Sequence, residues 1–380
     1  MIVVLRAFFH RIRSVVSFLQ LDRSLRRLTF YSEGRNYWPH LQGLIEQVLE
    51  QSDLPICYLS SAEDDPGLQF DHPRFYSFLI DEGAIRNWLF ANIETDVMVM
   101  TMPDIELYQV KRSSYPVHYV YVQHSLVSLH MVYRPGALDH YDTIFCAGPH
   151  HVEELRALEA NAGLAPKAVF EHGYSRLDAI RREAATRAST SSVGDGSWHV
   201  LFAPSWGETG IIESGLGQTL VADLLADGHR ITLRPHPQTI KFWGQKVNAI
   251  RTEHTNDPRF KFEANVDGQE SLQQSDVMIS DWSGAALEYA FGLNKPVVFV
   301  DVPRKVNNPD YEQIPLTPLE VSVRDQIGHV YHPDDGKLQL RTLSFNISPP
   351  EQFVFNLDNS DAAGASELVS LVKRVSDSKA

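Results

Sequence analysis

The chain reads as an α/β protein of two consecutive Rossmann-like domains facing a cleft, preceded by a basic amphipathic helix. Three observations predict this. β-rich runs alternate with helical patterns between residues 55 and 171, the alternation restarts near residue 199, and a stretch without apolar periodicity separates the two series. A length of 380 residues with 43% hydrophobic and 22% charged content suffices for two buried cores.

The first series contains the strand-like runs Pro55–Ser60, Asp96–Thr101, His118–Gln123, Thr143–Ala147 and Ala168–Glu171, separated by helical segments such as Trp38–Glu50 and His151–Asn161. Strands alternating with helices of this length indicate βαβ units and a parallel sheet. Residues Ala185–Ser197, rich in Ser, Thr and Gly, form the linker candidate. The second series runs through strand His199–Ala203, helix Gly217–Asp227, strands Arg230–Arg234 and Val277–Ser280, helix Ala285–Leu293 and strand Pro296–Val300. Residues Ala363–Val375 close the chain as a helix expected to return to the first domain. The implied division is a helix at 1–28, a first Rossmann-like domain at 29–190, a second at 197–345 and a tail at 346–380.

From Ile2 to Leu28 the polar residues Arg6, His10, Arg13, Ser17, Gln20, Ser24 and Arg27 recur every three or four positions, with Leu5, Phe8, Phe9, Ile12, Val15, Val16 and Leu19 on the other side. Arg6, Arg11 and Arg13 interrupt any apolar run, so the segment is neither a signal peptide nor a spanning helix. It fits a helix lying in an anionic membrane surface, with Arg6, Arg11 and Arg13 at the headgroups and Phe8 and Phe9 below them. The competing reading docks it on the protein's own core. Seven Arg against Asp22 and Glu33 give residues 1–35 a balance of +5, within a chain of net charge −14. That acidity excludes broad nucleic-acid binding. Two cysteines, Cys57 and Cys146, make neither a disulfide framework nor a zinc site, which fits a reducing compartment. No metal-ligand cluster stands out; Asp64-Asp65 and Asp334-Asp335 read as solvated turns.

Residues Ser275–Asp301 carry the most information. A strand ends at Ser280-Asp281, and Trp282-Ser283-Gly284 turns directly into a helix, so amides near Ser283 and Gly284 point beyond the strand as a phosphate cradle. Glu288, one turn along, is placed to accept from a ribose hydroxyl. Leu233-Arg234-Pro-His236-Pro ends another strand, and the prolines hold that backbone extended toward the ligand edge of a parallel sheet. Arg234 suits bidentate phosphate binding, and His236 suits donation to a developing phosphate charge. Ser205 and Thr209 lie in the Gly-bearing loop Pro204–Gly210, and Arg176 and Asp178 suggest an internal ion pair after Glu171-His172-Gly173.

Taken together, Arg234–Pro237, Ser275–Ser283, the helix with Glu288, Lys295–Phe299, Gly173–Asp178 and Ala203–Trp206 resemble motifs of the CDP-glycerol glycerophosphotransferases, over about residues 115–305. The resemblance implies a GT-B fold and attack of an acceptor hydroxyl on the β-phosphate of a CDP-activated donor, releasing CMP. It implies a histidine base matching His124, in Val122-Gln-His124-Ser-Leu after a strand, where an imidazole titrates near neutrality. This chain has His124-Ser125-Leu126 where the family has His-Gly-Thr, and His130 and Arg134 stand where its basic residues follow, which makes His130 a rival base on the acceptor side.

The resulting expectation is transfer of a glycerol-phosphate or related polyol-phosphate unit to a membrane-linked glycan or polyol-phosphate, in teichoic-acid-type envelope polymer synthesis at the inner face of the cell membrane. His124 and His236 are the catalytic candidates, and Arg234, Ser205, Asp281, Ser283, Gly284 and Glu288 the donor-binding ones. No cofactor is expected. A GT-B glycosyltransferase or epimerase using a nucleotide sugar, and a non-catalytic scaffold, are the alternatives, because fold alone does not fix chemistry.

Overall fold

The computed structural model describes residues 2–80, 82–186, 196–264 and 270–378, with side chains from residue 11 onward. Along the chain lie α1 (Ile2–Gln20), β1 (Leu28–Ser32), α2 (Trp38–Gln51), β2 (Ile56–Ser60), β3 (Phe75–Leu79), α3 (Ala84–Asn92), β4 (Val97–Met100), β5 (His118–Val122), α4 (Leu129–Val132), β6 (Thr143–Cys146), α5 (Pro149–Ala162), β7 (Ala168–Glu171) and α6 (Ser175–Thr186). They continue as β8 (His199–Phe202), α7 (Leu216–Ala226), β9 (Arg230–Leu233), α8 (Pro237–His254), β10 (Phe260–Phe262), α9 (Glu270–Gln274), β11 (Val277–Ser280), α10 (Gly284–Leu293), β12 (Val297–Val300), α11 (Leu319–Ser322), α12 (Arg324–Ile327), β13 (Gly328–Tyr331) and α13 (Ser360–Asp377). Most of the linker expected at Ala185–Ser197 lies outside the described residues.

The chain divides into two compact units. The first comprises Met1–Ser125, Tyr133–Ala179 and Phe353–Ala380; the second comprises Leu126–Val132 and Ile180–Gln352. In the first unit a parallel sheet runs in the order β3-β2-β1-β4-β5-β6-β7. β1, β2 and β4 are buried along their whole length, which is why β2 and β4 read as apolar runs without alternation. Leu41, Leu44, Ile45 and Val48 of α2 pack on one face with Leu368, Leu371 and Val372 of α13. The second unit holds a parallel sheet in the order β10-β9-β8-β11-β12-β13. Its core joins Val200, Phe202, Ile231, Leu233 and Ile279 to Leu220, Val221 and Leu224 of α7.

Each sheet reverses its strand order once, between β1 and β4 in the first and between β8 and β11 in the second. Loops leaving the carboxyl ends of those strands diverge, so ligands of open parallel sheets bind there.

The amphipathic segment is shorter than its pattern. The helix ends at Gln20, because the Asp22 carboxylate takes the Ser24 amide at 2.8 Å and turns the chain into β1. Its second half packs on the first unit, with Val15 and Phe18 buried and the Phe18 ring 5.5 Å from Phe78. Arg13 is exposed, and Arg11 pairs with Glu63 at 3.3 Å. The side chains of Arg6, Phe8 and Phe9 lie outside those described. No helix among the described residues is long and apolar enough to cross a membrane.

Asp65 is fully buried rather than solvated, because the Tyr58 and Ser60 hydroxyls and the Gly67 amide donate to it at 2.9, 2.6 and 2.9 Å. Asp178 is likewise buried, and its partner is not Arg176. It accepts from the amides of Asp358 and Ser360, at 2.9 and 2.8 Å, and from the Ser360 hydroxyl. That carboxylate thereby fixes the start of α13, while Gly173, at φ 96°, lets the returning chain pass where a Cβ would strike the Phe355 carbonyl. Replacing Asp178 by Ala should destabilise the first unit by about 2–3 kcal/mol, the usual worth of hydrogen bonds to a charged acceptor. Urea unfolding checks this, and Asp178→Asn should recover part of the loss.

Candidate active site

In the first unit His124 follows β5 by two residues. Its Nδ1 lies 3.0 Å from the Tyr121 hydroxyl, which lies 3.0 Å from the Tyr133 hydroxyl, and Tyr174 donates to the His124 carbonyl at 3.0 Å. The rings of Tyr37 and His40 close around it at 5.9 and 6.2 Å. Burial pulls its pKa down to about 4, against a hydrogen bond to the Thr101 backbone. The imidazole is therefore neutral at pH 7 and able to accept a proton.

Residues that the motifs did not single out surround this histidine's end of the sheet. Glu33, directly after β1, is pushed up to about 7 by burial, with Arg86 opposing the shift and Tyr37 bonded to it. Recognising β1 as a strand would have exposed it, since Glu33-Gly34 then falls at the point where the strand order reverses. Arg134 is exposed, 3.7 Å from the Asp104 carboxylate, and donates to the Tyr108 hydroxyl at 3.1 Å. His130 is not brought together with it. It belongs to the second unit, fully buried in α4, where Nε2 donates to the Leu316 carbonyl at 3.1 Å and its own carbonyl accepts from Asn308 at 2.9 Å. A proton held in that bond makes His130 a structural group.

In the second unit the reversal point carries Ser205, Asp281, Ser283 and Gly284. Asp281 is buried and accepts the Ser205 amide at 2.7 Å, while its Oδ2 has no hydrogen-bond partner. Burial raises its pKa, against hydrogen bonds from Ser205 and Trp282 and the charge of Lys305. Ser283 caps α10, its hydroxyl oxygen accepting from the Ala285 amide at 3.3 Å, and Gly284 opens the helix. Glu288 is buried one turn further along.

Arg234 and His236 diverge. Arg234 is buried, 3.8 Å from the Glu263 carboxylate and donating to the Ser271 hydroxyl at 3.2 Å. His236 caps α8, with Nδ1 accepting from the Gln238 amide at 3.1 Å. The neutral ring therefore carries its proton on Nε2, as a donor. Burial, then the charge of Lys305, pulls its pKa down to about 4. The Trp206 ring lies 5.9 Å from His236, and Lys305 Nζ sits 4.5 Å from the Trp206 centroid. Among the described residues no group of three or more His, Cys, Asp or Glu side chains is arranged to hold a metal ion.

A family model described as CDP-glycerol:poly(glycerophosphate) glycerophosphotransferase matches residues 137–305, the span that includes Ser205, Arg234, His236 and the Asp281–Ser283 turn. The matched span is a little under half of the chain, and His124 lies ahead of it. Among solved structures, a variant of the wall teichoic acid polymerase TagF soaked with CDPG is 14% identical over 99% of this chain and 95% of its own, with a TM-score of 0.57. A UDP-GlcNAc 2-epimerase from Methanocaldococcus jannaschii in complex with UDP-GlcNAc and UDP is 12% identical over 91% and 99%, at 0.56. The enzyme from Neisseria meningitidis bound to UDP-GlcNAc is 10% identical over 90% and 99%, at 0.55. These likenesses establish the GT-B fold. No curated protein sequence matches the chain.

His124, His236 and His172 share one consequence. His172 is buried against the Phe145 ring at 5.0 Å with neither ring nitrogen hydrogen-bonded, and burial brings its pKa down to about 3. All three folded-state values lie below the ordinary 6.5, so the unfolded chain binds more protons between pH 6.5 and 4. These three groups contribute stability that rises with pH across that window and is lost as pH falls through it, while Glu33, raised to about 7, contributes in the opposite sense. Urea midpoints should fall more steeply on acidification from pH 7 to 4.5 in the parent than in His172→Phe; equal slopes refute the assignment for His172.

Proposed function

We propose that this transferase moves glycerol phosphate from CDP-glycerol to a hydroxyl of a membrane-linked polyol-phosphate or glycan, in teichoic-acid-type polymer synthesis. The observation that carries this reading is the carboxyl edge of the second unit's sheet, where a family-matched strand-to-helix turn at Ser283 follows β11 and a proton-bearing His236 follows β9, the two strands that flank β8. Helix amides and a neutral imidazole N–H suit a diphosphate. Arg234, already paired with Glu263, positions this edge through that ion pair and through Ser271.

In the proposed reaction His124 takes the acceptor hydroxyl's proton as its oxygen attacks the β-phosphorus. A new P–O bond forms, the bond from that phosphorus to the bridging oxygen breaks, and CMP leaves with the electron pair. Phosphoryl transfer demands mainly positioning and charge stabilisation. A neutral His124 held by Tyr121 supplies the base without the charge that would oppose proton uptake.

Purified enzyme, CDP-glycerol and a lipid-linked acceptor should release CMP. His124→Ala should lower turnover by about 10²–10⁴-fold and leave CDP-glycerol affinity within about twofold. Turnover of a UDP-sugar in place of CDP-glycerol, or an unimpaired His124→Ala variant, overturns the reading.

The basic first half of α1 supports attachment to the anionic inner leaflet. Because Val15 and Phe18 belong to the core, the informative variant neutralises charge rather than deleting the helix. Replacing Arg6, Arg11 and Arg13 by Gln should weaken sedimentation with anionic liposomes by roughly tenfold or more, at about 1 kcal/mol per surface Arg. Equal sedimentation by parent and variant refutes attachment through this helix.

A further inference from the structure

We propose that Lys305, which belongs to no recognisable motif, is the cation that meets the donor's diphosphate, with the Nε2 proton of His236 donating beside it. The inference rests on the reading of the second unit as the donor-binding unit and adds the residue that neutralises the donor.

Arg234 and Arg324 are the buried arginines of the second unit that compete with Lys305 for this role. Arg234 is paired with Glu263 and bonded to Ser271. Arg324 is buried flat against Trp282, 3.3 Å from the ring centroid, and pairs with Asp301 at 3.3 Å. Lys305, five residues beyond β12, differs from both. Its ammonium faces the Trp206 ring at 4.5 Å and has neither a hydrogen bond nor an ion pair within 4 Å among the described residues. A half-buried ammonium loses solvation without such a partner, and burial accordingly lowers its pKa.

What keeps it charged is the field of two buried carboxylates, Asp281 and Glu213. Each uses one oxygen in a local bond, to the Ser205 amide at 2.7 Å and the Thr239 hydroxyl at 2.6 Å, and each leaves its other oxygen without a partner. Lys305 is close enough to His236 for its charge to hold that imidazole neutral. With Nδ1 occupied by Gln238, the ring presents an N–H donor next to an unpaired ammonium. An anionic oxygen accepting from both satisfies each of them, and charge-assisted bonds of this kind are about twice as strong as neutral ones. The aromatic face of Trp206 holds the ammonium in place before the anion arrives.

Calorimetry on the full chain with CDP, UDP, cytidine and inorganic pyrophosphate tests the proposal, using Lys305→Ala and Lys305→Arg. Lys305→Ala should weaken CDP by about tenfold or more, Lys305→Arg should retain most of the affinity, and cytidine should bind alike to all forms. A merely structural lysine would not move a second readout: the His236 ring, followed by NMR, should titrate at higher pH in Lys305→Ala than in the parent. CDP affinity unchanged in Lys305→Ala, or a His236 titration that does not move, overturns the inference and leaves the functional reading intact. If UDP binds the parent and CDP does not, the functional reading fails and Lys305 is judged on the UDP series. Absence of binding by CDP, UDP and pyrophosphate to the parent ends both.

Discussion

The hydrogen bond from the Ser205 amide to the buried Asp281 carboxylate, 2.7 Å long, holds the second unit's ligand edge together. Ser205 follows β8 and Asp281 follows β11, the two strands between which the sheet reverses its order. Without a tie, loops leaving a reversal point diverge, and a diverging edge cannot present groups at fixed spacing. One carboxylate oxygen makes the tie. The other has no hydrogen-bond partner, and the carboxylate's charge acts on Lys305. Burial, and then the charge of Lys305, keeps His236 neutral, and the cap bond from Gln238 decides which nitrogen of that ring carries the proton. Backbone geometry and charge at this edge thus follow in part from one buried acid, and the tautomer from a helix cap.

Burial governs the first unit's candidate base by a different route. Among the described residues no carboxylate is bonded to His124 to stabilise an imidazolium; phenol groups lie around it, with Tyr121 bonded to Nδ1 and Tyr133 bonded to Tyr121. A phenol can donate or accept, so this pair tolerates either protonation state of the imidazole while orienting it. The same unit keeps Glu33 half-buried beside Arg86, with a pKa near 7. Two titratable groups whose environments push them in opposite directions therefore occupy the same edge, a pattern common where protons are transferred.

How much of this the sequence discloses depends on the range of the interaction involved. β2, β4, β5, β6 and β7 are short apolar runs with clear boundaries, and each emerges as a strand within a residue or two of its expected position. β1 is hidden because Leu28–Ser32 begins where the amphipathic pattern of Ile2–Leu28 ends, and β10 and β13 are brief edge strands. In α8, non-helical angles at Trp243 break the periodic pattern that would have revealed it. The turn at Ser283 and the cap at His236 are local events, encoded by adjacent residues, and were legible for that reason. Arg234 is the contrary case: its partners Glu263 and Ser271 lie far along the chain, so a strand-terminal arginine looked available for phosphate when it is already paired. Lys305 is illegible for the same reason, since only folding places it over Trp206.

The chain's path past His124 explains why its neighbouring histidine took another role. Immediately after Ser125 the chain leaves the first unit, and it returns at Tyr133. Residues 126–132 are held in the second unit by the Ser128 amide and hydroxyl on Glu320, at 2.8 and 2.7 Å, by His130 on Leu316, and by the Asn307 amide on the Met131 carbonyl at 3.0 Å. These bonds fix residues 126–132 within the second unit, and β5 fixes the backbone before His124 within the first. The returning residue, Tyr133, bonds Tyr121, which bonds His124. A histidine held by its own strand and through its ring has little freedom to move from its place at the strand terminus. His130 supplies part of the hold on residues 126–132, and its buried Nε2 proton is committed to the Leu316 carbonyl.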